Sequence, residues 1–187
     1  MHLCGQFSDV TKNYLTRFDE VLDEMIHGMT TAELTDSISH NFIVQMIPHH
    51  RAAIEMSRNI LRYTTFVPLQ GIAQTIVEEQ TKSIADMEAA LCGCGRLTNT
   101  KQELCLYQRR FQSITQTMFH AMAEAESTND INVDFMREMI PHHEGAVQMS
   151  ENALCFPICL ELKPILRAII TSQKKGICQM RQLLRCV

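Results

Sequence analysis

The chain has 187 residues, 45% of them hydrophobic, and a formal net charge of −4 at pH 7. This length is enough for one domain, or two small ones, with a buried core. The charges form no block of one sign, which argues against a nucleic-acid partner, and no apolar run approaches the ~20 residues that cross a bilayer.

The chain begins with a segment, Met1 to Gln6, that lacks the basic start and apolar run of a signal peptide. The sequence therefore predicts a cytoplasmic protein, or an exported one if a signal peptide has been removed. Insertion into a membrane is not expected.

Three helices are predicted in the first half of the chain. The first spans about 8–30, because apolar residues recur at spacings of three and four. The second spans about 37–62, with Asp36 or Ser37 as its N-cap. The third spans about 67–92, with Pro68 in its first turn, where a missing N–H is harmless. No segment alternates like a strand, so the fold class is predicted to be all-α.

The second half of the chain repeats the first at a distance of 93 residues. Tyr14 aligns with Tyr107, and Gln80 aligns with Gln173. The repeats are 11–94 and 104–187, joined by a linker at 95–103 in a region rich in glycine and turn formers. We therefore expect a single all-α domain, 1–187, with about three helices in each repeat.

The segment Met-Ile-Pro-His-His occupies residues 46–50 and returns at 139–143. On a helical wheel its methionine and both histidines share one broad apolar face, whereas Arg51 and Glu55 lie opposite. Another methionine of the same face follows about two turns later. The predicted site residues are His49, His50, His142, His143, Met46, Met139, Met56 and Met149.

Buried histidines require partners for both ring nitrogens, and an unpaired buried polar group costs roughly 1–3 kcal/mol. If the two repeats pack about a pseudo-twofold axis, they bring four imidazoles into one interior. Imidazole and thioether together suit Cu(I), and imidazole alone also suits zinc. The pattern therefore predicts a metal centre, most simply for Cu(I), with histidines that bond only within the core as the alternative.

Two repeated features allow more than one interpretation. Pro48 and Pro141 either kink a helix and free a carbonyl, or begin a separate helix. Gln80 and Gln173 interrupt apolar stripes, and either bind a free histidine nitrogen or link two helices.

Seven cysteines have no cysteine at the equivalent repeat position, so they are not part of the duplicated site. Free thiols, disulfides and accessory soft-metal ligands all stay open for them, and their spacings fit no standard zinc module. They are Cys92, Cys94, Cys105, Cys155, Cys159, Cys178 and Cys186.

The repeated motif resembles the bacterial domain-of-unknown-function family numbered 305, a branch of the ferritin-like superfamily. Its signature is an acidic residue, phenylalanine, Met-Ile-x-His-His, alanine and methionine, followed by a helix with Gln-x-x-x-Ile-x-x-Met. The second repeat carries it as Asp134, Phe135, Met139, Ile140, His142, His143, Ala146, Met149, Gln173, Ile177 and Met180. The first repeat matches through Phe42, Met46, Ile47, His49, His50, Ala53, Met56, Gln80, Ile84 and Met87, and departs at Asn41, where the acid is expected.

This resemblance implies a ferritin-like bundle of repeated helix pairs. It also implies copper binding, because some relatives look like copper-binding proteins of metal tolerance, and such relatives are usually exported. The expected function is copper binding or buffering without catalysis, with a metal ion as the partner and a homo-oligomer as an open option.

Two other functions compete with this one. A metal-free interaction or structural bundle would use its histidines for internal hydrogen bonds. A ferritin-like di-iron enzyme needs Glu-x-x-His on each of two helices and two further glutamates. The chain offers only Glu24 and His27, with Thr117 at the repeat position of His27, so the enzyme is disfavoured.

Overall fold

A computed structural model describes residues 7–186 and contains six α-helices in that range, with no strand. The all-α prediction is therefore confirmed. The first repeat contains α1 (Asp9–Thr30), α2 (Ile38–Leu61) and α3 (Val67–Cys94), and the second contains α4 (Lys101–Ala123), α5 (Ile131–Leu154) and α6 (Leu162–Leu183). The segment 1–6, which the signal-peptide argument used, lies outside the described residues. Within the described helices, none is long and apolar enough to cross a membrane.

Side-chain caps set several helix starts. Ser8 accepts a hydrogen bond from the Thr11 backbone N–H at the start of α1. Ser37, rather than Asp36, is the N-cap of α2. Thr100 and Glu103 form a reciprocal capping box that begins α4. Each such cap stabilises its helix by about 1 kcal/mol.

Helices α2 and α5 occupy the centre of the bundle. Each packs against both other helices of its own repeat, and the repeats meet where α2 contacts α5 and α3 contacts α6. An equivalent hydrogen bond is present in each repeat. The Asn59 side chain donates to the Tyr14 carbonyl at 2.9 Å, and the Asn152 side chain donates to the Tyr107 carbonyl at 3.2 Å. The packing thus places the Met-Ile-Pro-His-His segments face to face.

The position where the first repeat departs from the family signature has a structural role in both halves. The Asn41 side-chain oxygen accepts from the Thr35 backbone N–H at 2.8 Å, and Asp134 accepts from the Thr128 N–H at 2.9 Å. Either side chain can accept that bond, so the loop before α2 tolerates an amide where the loop before α5 has an acid.

Both motif prolines lie inside continuous helices, so the interpretation that they begin separate helices is wrong. Pro48 packs against α1 at Gly28, where a Cβ atom would lie 2.8 Å from the Pro48 Cβ. Gly28 therefore lets α1 approach the ring of Pro48 closely.

A disulfide joins Cys94, at the end of α3, to Cys159, in the loop between α5 and α6, with a Cα–Cα distance of 5.2 Å. It links the first repeat to the second at one end of the bundle. The other cysteines of the described residues are free and exposed, namely Cys92, Cys105, Cys155, Cys178 and Cys186.

Candidate metal centre

All four motif histidines are buried where α2 packs against α5, with no residue of the four more than 2% exposed. The His49 and His142 rings stack across the repeat interface, with centroids 3.7 Å apart and planes inclined by 26°. The His50 ring lies 5.8 Å from that of His49, and the His143 ring lies 5.9 Å from that of His142. The two repeats therefore place their histidines in one cluster rather than in two separate places.

His49 and His142, which we call the inner histidines, each bond through the ring to the backbone of the other. The Nε2 atom of His49 lies 3.2 Å from the His142 carbonyl oxygen, and Nε2 of His142 lies 3.2 Å from the His49 carbonyl oxygen. Since a carbonyl only accepts, each Nε2 must carry the proton and donate it. In a neutral ring the lone pair then lies on Nδ1.

His50 and His143, which we call the outer histidines, have surroundings that differ from each other. The Nε2 of His50 lies 3.0 Å from the Ser83 hydroxyl oxygen on α3. The equivalent residue on α6 is Gly176, where a Cβ atom would lie 2.9 Å from Cδ2 and 3.0 Å from Nε2 of His143. Gly176 therefore gives the His143 ring space in place of a hydroxyl partner.

Burial keeps the four imidazoles neutral. It lowers the pKa of His50 to about 3 and that of His142 to about 4. Burial also lowers the pKa of His49 and His143 well below their usual range, and the neighbouring histidines add to this effect. Neutral imidazole is the form that binds metal ions, so protons do not compete for these nitrogens at neutral pH.

The Nδ1 atoms of all four histidines are buried and have no hydrogen-bond partner in the described structure. Buried polar atoms of native proteins are nearly always paired, so four equivalent orphans in one cluster call for an explanation. A ligand that accepts electron pairs at Nδ1 would supply the missing partner.

The two repeated glutamines do not bond to the histidines as one interpretation required. Gln80 and Gln173 are 2% and 4% exposed, and their side-chain oxygens have no partner. Both line a cavity of about 250 Å³ between α3 and α6, together with His50 and the exposed Glu79 and Lys82. This cavity gives a path from the surface to the outer histidine of the first repeat.

The four motif methionines are buried on the same two helices, each no more than 1% exposed; they are Met46, Met56, Met139 and Met149. The methionines of α1 also face the core, since Met25 and Met29 are buried whereas His27 is exposed. Glu24 is exposed as well, so the single Glu-x-x-His lies on the outside of the bundle.

The histidine nitrogens lie in one cluster but do not converge on one point. Among residues 7–186, the only three ligand atoms of His, Cys, Asp or Glu within 4.8 Å of one another belong to Cys94, Cys159 and Glu161. The histidines therefore form no preassembled site of three nitrogens.

Sequence reasoning overlooked a buried acid on α5, Glu138, one turn before His142. The Tyr14 hydroxyl on α1 donates to Glu138 on α5 at 2.5 Å. Burial raises the pKa of Glu138 well above its usual range, although the Tyr14 hydrogen bond opposes this. The signal was present in the repeat, where Glu138 aligns with the neutral Gln45 on an otherwise buried face.

The chain matches the model of one protein family in both halves. The family is described as "Domain of unknown function (DUF305)", and the matched residues are 15–91 and 107–184. No curated protein matches the sequence.

Three solved structures share the fold. The crystal structure of a DUF305 fragment from Deinococcus radiodurans has a TM-score of 0.59 at 22% identity, covering 80% of this chain and 97% of the other. CopM in a silver-bound form, obtained by soaking, has a TM-score of 0.59 at 26% identity, covering 81% and 97%. CopM in its Cu(II)-bound form has the same score and identity, covering 79% and 95%.

Proposed function

The chain belongs to the DUF305 family, and from that premise we propose that it binds copper at the paired histidines of α2 and α5. The similarity to CopM, which has been solved with silver and with Cu(II), supports a soft-metal function. The role is binding or buffering of the ion, with His49, His50, His142 and His143 as its nitrogen ligands.

The observation that carries this proposal is the set of four buried Nδ1 atoms without partners. The inner rings must keep their proton on Nε2, which leaves Nδ1 as the lone-pair nitrogen. Since the pKa of each ring is lowered by burial, all four present neutral nitrogen at physiological pH. The donor set thus fits an ion that prefers imidazole.

Cu(I) is the ion that this arrangement favours. Structural zinc takes four ligands in a closed tetrahedral site. Within residues 7–186 no three histidine nitrogens lie within 4.8 Å of one another, so any ion bound by all four rings, zinc or copper, requires the rings to move. Cu(I) accepts soft thioether ligands beside imidazole, and methionines share both helices with the histidines.

We assign Met46, Met139, Met56 and Met149 as thioether ligands or as a soft lining of the copper site. They lie on the same two helices as the histidines and are fully enclosed by the bundle. An apolar thioether lining stabilises Cu(I) over harder ions, because it offers no charged oxygen.

A metal-free structural role is the second candidate, and one observation favours it. The two reciprocal bonds between the His49 and His142 rings and the opposite carbonyls join α2 to α5 without any ion. On this interpretation the histidines specify how the two repeats pack, and loss of the rings would weaken folding without affecting copper.

Anaerobic Cu(I) titration against a chromophoric chelator separates the two candidates. The exposed thiols are alkylated first, since Cys92, Cys105, Cys155, Cys178 and Cys186 would compete for Cu(I). Replacement of all four motif histidines by glutamine is expected to weaken Cu(I) binding at least tenfold. A parallel titration with Zn(II) tests the choice of ion.

The matched control is the pair of exposed histidines at equivalent positions of α1 and α4, changed as His27→Gln and His120→Gln. This variant should bind Cu(I) like the wild type. Replacing the four motif methionines by leucine, which keeps apolar volume, tests the thioethers. Unchanged Cu(I) affinity in the histidine variant would contradict the copper proposal, and tighter Zn(II) than Cu(I) binding would contradict the soft-ligand assignment.

A further inference from the structure

A second group of ligand atoms lies at the end of the bundle where α3 finishes. The sulfur atoms of Cys94 and Cys159 and a carboxylate oxygen of Glu161 lie within 4.8 Å of one another. Cys94 is fully buried, Cys159 is 8% exposed and Glu161 is exposed. This group shares no residue with the histidine cluster.

We propose that Cys94 and Cys159 form a redox-gated binding site for Cu(I), closed as a disulfide and open as a dithiol. A dithiol reductant transfers two electrons and two protons to the disulfide, which yields two thiols and the oxidised reductant. Cu(I) then displaces both thiol protons and is held by two thiolates. A disulfide oxidant then takes two electrons from the thiolates and, with two protons, becomes a dithiol; the Cys94–Cys159 disulfide forms again, both ligands are lost and Cu(I) is released.

Hydrogen bonds from α2 hold both cysteine backbones without help from the disulfide. The Ser37 hydroxyl donates to the Cys94 carbonyl at 3.1 Å, and the Cys159 backbone N–H donates to the Ser39 hydroxyl at 3.0 Å. Asn99 adds a bond to the Pro157 carbonyl at 2.9 Å. After reduction the two sulfur atoms therefore stay near each other.

The spacing of the pair suits one thiophilic ion. Two thiolates that each bind a metal at ~2.3 Å are separated by about 4 Å. The Cα atoms of Cys94 and Cys159 are 5.2 Å apart, so small side-chain rotations give that separation. Thiolates suit both Cu(I) and zinc, but zinc takes four ligands, whereas this group offers two thiolates and one carboxylate.

The site is not duplicated. The repeat-equivalent residues are Val187 and Phe66, so the second half of the chain provides no matching pair. Cys159 is 8% exposed and Cys94 is fully buried, so a reductant has to approach the disulfide from the side of Cys159. Because Cys94 and Cys159 are separate from the histidine cluster, the proposal does not depend on copper binding by the histidines.

The test uses the full chain with its other six cysteines replaced by serine, so that Cys94 and Cys159 are the only cysteines left. The protein is titrated anaerobically with Cu(I), once oxidised and once after phosphine reduction and desalting. We expect the reduced form to bind one more equivalent of Cu(I), with new thiolate-to-copper charge-transfer absorption. A further Cys159→Ser change should remove that equivalent, and replacing the four motif histidines by glutamine should not.

Two results would overturn the proposal. Equal Cu(I) stoichiometry in the oxidised and reduced forms would show that the thiols do not bind the ion. Loss of the helical circular dichroism signal on reduction would mean that the fold requires the disulfide, so the disulfide could not regulate a metal site in the folded protein. Persistence of the extra equivalent in the histidine variant distinguishes this site from the proposed histidine centre, so either can fail alone.

Discussion

One residue on the neighbouring helix faces the ring of each outer histidine, and that residue differs between the two repeats. Ser83 provides a hydroxyl at 3.0 Å from His50 Nε2, whereas Gly176 stands at the equivalent position beside His143. A glycine in a helix interior costs about 1 kcal/mol relative to alanine. Gly176 therefore lowers the stability of α6, and the close approach of the His143 ring explains why this position has no side chain.

Changing Gly176→Ala should destabilise the protein. The added Cβ would lie 2.9 Å from His143 Cδ2, and that ring is buried and cannot simply swing into solvent. Overpacking of this kind costs about 1–3 kcal/mol, which outweighs the gain in helix propensity. Urea unfolding of the metal-free protein measures the change.

Gly71→Ala is the matched control, because a Cβ at Gly71 in α3 meets nothing within 4 Å. It should raise the free energy of unfolding by up to about 1 kcal/mol. If Gly176→Ala stabilised the protein to the same extent, the proposed contact with His143 would be absent.

At the scale of helices, the periodicity of apolar residues was enough to place the elements. The predicted bounds of α1, α2 and α3 lie within two residues of the observed ones, whereas α4 begins at Lys101, inside the segment 95–103 that was expected to link the repeats. The helix predicted over 37–62 already ran through Pro48, but the sequence left open whether this proline begins a separate helix. The structure has one continuous helix, with Pro48 packed against Gly28 of α1.

The metal centre could be predicted only in part from the sequence, because its geometry depends on how two helices pack. Repetition of the histidine pairs indicated that they meet, but not that the inner rings donate to carbonyls on the opposite helix. Such bonds depend on the distance between α2 and α5, which no sequence spacing encodes. The pairing of Cys94 with Cys159 likewise follows from tertiary packing and not from cysteine spacing.

Removing the disulfide by Cys94→Ser and Cys159→Ser should reduce stability without loss of the fold. The disulfide closes a loop with a sequence separation of 65, and chain entropy over such a loop is worth about 4 kcal/mol at most. Urea unfolding of the oxidised wild type and the variant gives the difference.

Cys105→Ser provides the comparison, since Cys105 is free and exposed. It should change stability by less than about 0.5 kcal/mol. A double variant as stable as Cys105→Ser would mean that the serine and asparagine hydrogen bonds alone hold that end of the bundle.

At the scale of the whole molecule, both repeats contribute to one shared interior. Helix α2 contacts α5, α3 contacts α6, and the Tyr14 hydroxyl of the first repeat reaches Glu138 of the second. We therefore propose that the chain folds as one domain of two repeats. Ionisation of the buried groups then changes the stability of the entire bundle rather than of one half.

Acid should destabilise the metal-free protein steeply between pH 6.5 and 4.5. Burial holds the pKa of every motif histidine below 6.5, so unfolding takes up four protons on these rings in this range. The raised pKa of Glu138 acts in the opposite sense, because the folded state holds a proton there that the unfolded state has lost. Four rings therefore act against one carboxyl, and each proton fully taken up on unfolding lowers the free energy of unfolding by about 1.4 kcal/mol per pH unit.

Urea unfolding at pH 7, 6 and 5 in the presence of a chelator measures this slope. Glu138→Gln should make it steeper, because the opposing proton is removed while the amide oxygen still offers the Tyr14 hydroxyl an acceptor. His27→Gln with His120→Gln should leave it unchanged, since both side chains are exposed. A free energy of unfolding that stays constant from pH 7 to 5 would mean that the four imidazoles are not held neutral by burial, and the neutral ligand set proposed for copper would be wrong with it.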